Sequence, residues 1–131
     1  MSADNMEKYF VDQIVRVTDL NYGNHVGVSQ MSGMAHQARF AYLNSMGLSE
    51  SDIGGVAIMV LESTICMKAE SFLGDLLRFY VEFQRVSKSQ CVCNVFVFNL
   101  VKDVLVATVE DKIIAYDYQR RRPSALPETF I

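Results

Sequence analysis

The chain has 131 residues, of which 50% are hydrophobic and 21% charged, with a formal net charge of -3. Its length and composition fit one folded domain, residues 1–131, and exclude a disordered chain. The acidic balance argues against nucleic-acid binding, which needs an excess of Lys and Arg, and no apolar run approaches the roughly 20 residues that span a bilayer.

The N-terminal sequence MSADNMEKYF has neither the basic start nor the apolar run of a secretory signal. The cysteines are Cys66, Cys91 and Cys93, and an odd number in a chain of this size predicts no disulfide framework. Cys91 and Cys93 share one face of a predicted strand, so we interpret them as packing residues. We therefore predict a cytoplasmic protein without a metal site.

The first predicted strand covers Tyr9–Thr18, where Val11, Val15 and Val17 share one face. The polar stretch DLNYGNHV, Asp19–Val26, follows it and predicts a turn. Because this stretch combines an acid, two amides, a tyrosine and a histidine, it is also a candidate functional loop.

A helix is predicted next, with Ser29 as its N-cap and Gly47 as its C-terminal stop. Its apolar stripe recurs at steps of three and four residues and consists of Met31, Met34, Ala35, Ala38, Tyr42 and Met46. His36 and Arg39 share a helix face, and we expect Arg39 to brace an acid within the fold.

Four strand-like runs follow the helix: Gly55–Ala69, Leu76–Val86, Gln90–Val101 and Val104–Tyr118. The apolar start of the first run predicts a strand covered on both faces or packed under a helix. Lys102-Asp103 indicates a two-residue hairpin between the last two runs. We expect a meander-like, five-stranded antiparallel sheet wrapped around the one long helix, in the α+β class, completed by a partner subunit.

The chain resembles the hotdog-fold thioesterases of the 4-hydroxybenzoyl-CoA thioesterase family over nearly its whole length. The family's loop between first strand and helix corresponds to Asp19–Gly27, and its helix motif corresponds to Gln37-Ala38-Arg39. Its strand end with a following G-D-x-L corresponds to Lys68–Leu77. Its closing tail corresponds to Asp117–Arg122 with Pro127.

The resemblance implies hydrolysis of an acyl-CoA thioester in a homodimer or dimer of dimers. Coenzyme A would enter as part of the substrate, no separate cofactor is expected, and the acyl-CoA site would lie at the subunit interface. The implied substrate-binding residues, besides the catalytic candidates, are Asp19, Tyr22, Gly23, Asn24, Val26, Gly27, Lys68 and Arg120. Glu62 is a further substrate-binding candidate, from its place in an apolar run and not from the resemblance.

The resemblance implies Asn21, His25 and Gln37 as catalytic candidates, but Asn21 and Gln37 occupy the positions where relatives carry catalytic carboxylates. An amide cannot act as a base, although it can orient water or donate to a carbonyl. Three interpretations stay open: a water-positioning site, remnants of a lost site, or ordinary turn and helix residues. His25 is either a base or electrophile near neutral pH, or a brace for the turn.

Glu62 interrupts the apolar run VAIMVLESTICM, so it is either a solvated strand residue or a replacement carboxylate. The missing carboxylates also favour an alternative function, a hotdog protein that binds an acyl-CoA without hydrolysing it. A dehydratase is a weaker candidate, because the Asp–His pair of that chemistry is not found.

Overall fold

The computed structural model describes residues 9–131, in which one long helix packs against one antiparallel sheet. The strands are β1 (Phe10–Ile14), β2 (Ala57–Met67), β3 (Leu76–Arg85), β4 (Gln90–Asn99), β5 (Val104–Asp117) and β6 (Arg122–Pro123), and the helix is α1 (Val28–Ser45). This arrangement confirms the predicted α+β hotdog fold. Residues 1–8, on which most of the signal-sequence prediction rests, lie outside the described residues.

The sheet has the order β1-β3-β4-β5-β2, with the short β6 paired to β5. Strands β3, β4 and β5 form the predicted meander, but β2 pairs with β5 and not with β3. Within residues 9–131, β2 therefore lies at a free edge, and the predicted covering of its apolar run is found only at the start of the strand. Ala57 and Ile58 are buried, whereas Val60 is 38% and Leu61 54% exposed.

The first strand ends earlier than predicted, because a short 3-10 turn covers Val17–Asp19. The turn rotates Val17 out to solvent while Val15 stays buried, so the predicted common face is lost. Buried Asp19 stabilises the turn, since its Oδ2 accepts a 2.8 Å hydrogen bond from the backbone N–H of Arg16.

Helix α1 begins one residue before the predicted cap, with Gly27 in the N-cap position instead of Ser29. Its end is as predicted, because Gly47 adopts a positive φ of 73°. Leu48 N–H donates to Leu43 O at 2.9 Å and Gly47 N–H to Asn44 O at 3.0 Å, the bonding pattern of a Schellman motif.

The core lies between α1 and one face of the sheet. Alternate residues of β3 enter it as predicted: Leu77, Phe79, Val81 and Phe83 are buried. The buried face of α1 consists of Met31, Met34, Ala35, Ala38, Arg39 and Leu43. Met46, which the stripe predicted to be buried, is 42% exposed because it lies at the C-cap, beyond the last helical turn.

Cys91 and Cys93 are buried in the same core, while Cys66 is exposed on β2. Burial raises the pKa of the Cys91 thiol to about 11, and it raises the pKa of Cys93 as well. Both groups therefore remain neutral thiols near pH 7, which agrees with their interpretation as packing residues.

The loop between β4 and β5 is longer than predicted, because Asn99 pairs with Val104 and leaves four residues, 100–103, in the turn. Asp103 adopts a positive φ of 51°, and the Asn99 side chain accepts a hydrogen bond from Lys102 N–H. An asparagine side chain thus closes this turn where the sequence indicated a two-residue hairpin.

A buried ion pair joins the helix to the sheet, as expected for Arg39. Its Nη1 lies 2.6 Å from Asp111 Oδ2 on β5, and both side chains are nearly excluded from solvent. Arg39 Nη2 also lies 3.3 Å from Glu50 Oε2, and Glu50 contacts His36. Arg39 therefore connects α1, β5 and the segment that leads into β2.

Candidate functional site

The polar loop between β1 and α1 is closed by its own backbone. Asn21 N–H donates to His25 O at 2.9 Å, and Asn24 N–H donates to Asn21 O at 3.1 Å. Asn24 allows this tight return because it adopts the left-handed conformation, with φ of 60°, which asparagine tolerates well. The loop therefore presents Asn21 and His25 side by side.

The same loop is fixed to the segment that follows β2. Val26 N–H donates to Ser71 O at 2.9 Å, and His25 and Phe72 form an isolated antiparallel bridge. Where the two segments meet, a cleft of about 480 Å³ is lined by Asn21, His25, Val26, Gly27, Val28, Met67, Lys68, Ala69 and Glu70. We call it the loop cleft.

A second cleft of about 900 Å³ adjoins the loop cleft. Part of its lining is apolar, and part carries hydroxyl and amide groups. The lining residues are Leu20, Asn21, Tyr22, Gly27, Val28, Ser29, Gln30, Ser32 and Ile65. Asn21, Gly27 and Val28 line both clefts. Asn21 and the start of α1 thus stand at the boundary between the two clefts.

The orientation of the Asn21 amide follows from one hydrogen bond. Its Oδ1 accepts from Gly23 N–H at 3.0 Å, so its Nδ2 is turned toward Gly27. A Cβ on Gly27 would lie 3.0 Å from this nitrogen. The amide therefore offers N–H donors at the start of the helix, not a carbonyl acceptor.

The His25 ring is oriented by backbone on both sides. Its Nδ1 lies 3.2 Å from Val26 O, a carbonyl that can only accept, so this contact places the proton on Nδ1 in the neutral ring. Gly23 leaves space for the ring, since a Cβ there would lie 2.8 Å from Nε2. The Nε2 lone pair is therefore the reactive group that His25 offers.

The first turn of α1 is the third element of the site. Gly27 provides no side-chain cap. The Gln30 side-chain oxygen lies over this end, beside the position that a Cβ on Gly27 would take, and a bound carbonyl would displace it. The N–H groups of the first helical turn have no acceptor within the helix, and they carry the positive end of its dipole. Together with Asn21 Nδ2, they can stabilise negative charge on an oxygen atom.

The structure brings together part of the predicted set of site residues. Asn21, His25, Val26, Gly27 and Lys68 line the loop cleft, Tyr22 lines the adjoining one, and Gly23 and Asn24 complete the loop. Gln37 lies elsewhere, on the exposed face of α1, ten residues or about 15 Å beyond Gly27 along the helix. It shares a separate pocket with Asp19.

Glu62 and Arg120 also lie away from the loop cleft. Glu62 is exposed on β2 and pairs with Lys112 of β5 at 3.4 Å. Arg120 lies three residues after the end of β5. Because Tyr116 near this end of β5 pairs with Ala57, Arg120 lies near the Ala57 end of β2. The loop cleft adjoins Met67 at the other end of β2, ten residues or about 33 Å away.

Glu70 is a residue of the cleft that the sequence interpretation did not single out. Its Oε2 lies 3.8 Å from His25 Nε2. The two residues are 45 positions apart in sequence. The contacts between the polar loop and the segment after β2 bring them together: the His25–Phe72 bridge and the hydrogen bond from Val26 N–H to Ser71 O.

In the part of the chain that the structure describes, no three His, Cys, Asp or Glu side chains are grouped as metal ligands, and no helix could cross a membrane.

The fold and this loop define a hotdog-fold protein with its candidate site at the start of the central helix. The family model of the thioesterase-like superfamily matches residues 15–131, so the chain belongs to this superfamily. No curated protein sequence matches the chain.

Solved structures with a similar fold include two thioesterases. One is Slr0204, a 1,4-dihydroxy-2-naphthoyl-CoA thioesterase from Synechocystis, with a TM-score of 0.83 and 21% identity over 92% of this chain and 90% of that one. Another is the DHNA-CoA thioesterase from Staphylococcus aureus, with a TM-score of 0.79 and 18% identity over 92% and 82% of the two chains. At these identities the likeness concerns the fold.

Proposed function

We propose that this protein hydrolyses acyl-CoA thioesters to a free acid and coenzyme A at the loop cleft. The observation that carries the proposal is the convergence of three groups: Asn21 Nδ2, the uncapped first turn of α1, and His25 Nε2. Two of them stabilise an oxyanion and the third accepts a proton, which is what hydrolysis of a thioester requires. Membership of the thioesterase-like superfamily supports the same reaction.

The thioester carbonyl oxygen lies between Asn21 Nδ2 and the first-turn N–H groups, which make the carbonyl carbon more electrophilic. His25 Nε2 removes a proton from water as the water oxygen bonds to that carbon. The negative charge moves to the carbonyl oxygen, where the same donors hold it. When the C–S bond breaks, the coenzyme A sulfur leaves with its electron pair and takes the proton from His25.

A panel of acyl-CoAs, with short, long and aromatic acyl groups, tests the proposal by measuring thiol release. We expect at least one substrate to be hydrolysed far faster than in buffer, and His25→Ala to reduce kcat about 100-fold or more, because a positioned base contributes at least that factor. His36→Ala is the matched control, since His36 lies on the exposed face of α1 and lines neither cleft.

The alternative function, binding without hydrolysis, predicts a different outcome from the same panel. In that case acyl-CoAs would bind measurably by calorimetry, but no member of the panel would release thiol above the background rate. The donors at the start of α1 would serve either function, whereas the His25 lone pair favours hydrolysis.

The site is completed by a second copy of the chain, which we propose pairs through β2. No strand within residues 9–131 pairs with the outer side of this edge strand, which carries exposed Val60 and Leu61. A two-fold axis makes the two β2 strands antiparallel, so each Met67 end faces the partner's Ala57 end. The basic turn that contains Arg120 then approaches the partner's loop cleft, where it can bind the phosphates of coenzyme A.

Subunit complementation tests this arrangement. We expect a His25→Ala chain and a chain with Arg120, Arg121 and Arg122 changed to Gln to be poorly active as separate homodimers. After the two variants are mixed and their subunits exchange, half of the dimers contain one chain of each variant. In each of these heterodimers, one of the two sites has both an intact His25 and an intact basic turn. Activity should return to about a quarter of the wild-type value. No recovery would place the basic turn and His25 in the same subunit's site.

Coenzyme A enters this reaction as part of the substrate, and the reaction requires no separate cofactor. A cytoplasmic location suits it, since the three cysteines of the chain are unpaired and fit a reducing compartment.

A further inference from the structure

Glu70 is held beside His25 by backbone contacts on both sides of the cleft. Lys68 N–H and Ala69 N–H both donate to Val106 O, at 2.7 and 3.1 Å, which fixes the segment before Glu70 to β5. The segment after it is fixed to the polar loop by the bond from Val26 N–H to Ser71 O. The Glu70 backbone is therefore anchored relative to the imidazole.

Within the described residues, Glu70 is the only carboxylate that lines the loop cleft. Its Oε2 lies 3.8 Å from His25 Nε2, which is too long for a direct hydrogen bond. Because Val26 O fixes the His25 proton on Nδ1, the two atoms that face each other are both acceptors. A group that satisfies both must donate two hydrogens.

Water is such a group. Two acceptors that receive the two hydrogens of one water molecule lie about 4.5 Å apart. The Glu70 side chain is mostly exposed, so it can move by the small distance that separates this value from the observed 3.8 Å. A water held in this way turns its oxygen lone pairs away from Glu70 and His25 and into the cleft. Asn21 and the start of α1, which would hold the thioester carbonyl, line the same cleft.

We propose that Glu70 and His25 together hold the water that attacks the thioester, so that Glu70 is a further catalytic residue. This inference rests on the proposed hydrolysis. His25 Nε2 takes one proton of the water as its oxygen bonds to the carbonyl carbon. Glu70 accepts a hydrogen bond from the other O–H and stabilises the imidazolium that forms. The proton then passes from His25 to the departing sulfur, and Glu70 is unchanged.

The test compares Glu70→Gln with Glu110→Gln, which makes the same chemical change on an exposed glutamate of β5, outside the cleft and away from the β2 edge. We expect Glu70→Gln to reduce kcat about 100-fold with little change in KM. The substitution removes the charge that stabilises the forming imidazolium and leaves only a weaker neutral acceptor for the water, while contacts with the acyl-CoA are unchanged. Glu110→Gln should keep wild-type kcat. Thermal unfolding of both variants should match the wild type, because both residues are exposed.

Hydroxylamine gives a readout that a purely structural role would not change. It attacks thioesters as a neutral amine and does not need to lose a proton first. We therefore expect Glu70→Gln to retain most of the wild-type rate of hydroxamate formation while hydrolysis stays about 100-fold reduced.

The outcomes separate this inference from the proposed function. Wild-type hydrolysis with a Glu70→Gln rate within about threefold of it would overturn the role of Glu70 and leave the proposed function standing. Equal loss of hydrolysis and of hydroxamate formation would also overturn it, since the defect would then not concern water. A wild-type protein that hydrolyses no thioester would overturn both.

Discussion

Asn21→Asp should reduce kcat for thioester hydrolysis about 100-fold, because the loss of a single oxyanion donor has an effect of this size. An aspartate keeps the acceptor that receives the Gly23 N–H, so the turn stays closed. The atom toward Gly27 changes from a donor into a charged acceptor, and the oxyanion then forms against a negative charge. Steady-state kinetics with the best substrate of the acyl-CoA panel measures the loss.

Asn24→Asp is the matched control for this variant, since it makes the same substitution in the same loop. Asn24 is exposed and left-handed, and aspartate tolerates this conformation, so we expect near wild-type kcat. A gain of activity in Asn21→Asp would contradict the assignment of Asn21 as a donor. It would mean that a carboxylate at this position attacks the thioester or activates water.

Arg39→Met should lower the free energy of unfolding by about 3–5 kcal/mol, the cost of leaving a buried charge unpaired. Asp111 would lose the guanidinium that lies 2.6 Å from its carboxylate and would have almost no access to water. Methionine fills much of the same volume, so the cost comes from the charge and not from a cavity. Urea unfolding of the wild type and the variant measures it.

Two further variants separate charge from packing. Arg39→Met combined with Asp111→Leu should recover most of the lost stability, because no unpaired buried charge remains. Arg78→Met removes one partner of the more exposed pair with Asp12 and should cost only about 0–1 kcal/mol. If the double variant is as unstable as Arg39→Met alone, the lost stability comes from contacts other than the pairing of Asp111.

The fold could be predicted from the sequence where the pattern is local. The alternation of β3 identified the strand face that enters the core, and Gly47 identified the end of α1. The predicted start of the helix was wrong because Gly27 occupies the N-cap position without a capping side chain. Ser29 is the first residue after the loop whose side chain is typical of an N-cap, so the pattern pointed to it. The position of β2 at the edge depends on pairing with a strand some 50 residues away, which no local pattern contains.

The site could be predicted only in part for the same reason. Asn21 and His25 lie in one short loop, so a local pattern was sufficient to single them out. Glu70 comes next to His25 through a non-local bridge and was missed. Gln37 corresponds to the first residue of the helix motif on which the resemblance rests. It nevertheless lines a pocket separate from the loop cleft.

The free edge of β2 has a consequence for the subunit on its own. An exposed strand with unpaired backbone and apolar side chains is a template on which any extended chain can add, so an isolated subunit is prone to aggregate. Glu62, which pairs with Lys112 of β5, places a charged side chain midway along this edge, and such a charge opposes indiscriminate pairing. The proposed dimerisation would therefore prevent aggregation through β2 as well as complete the site. In the isolated subunit, the charge of Glu62 would oppose the same aggregation.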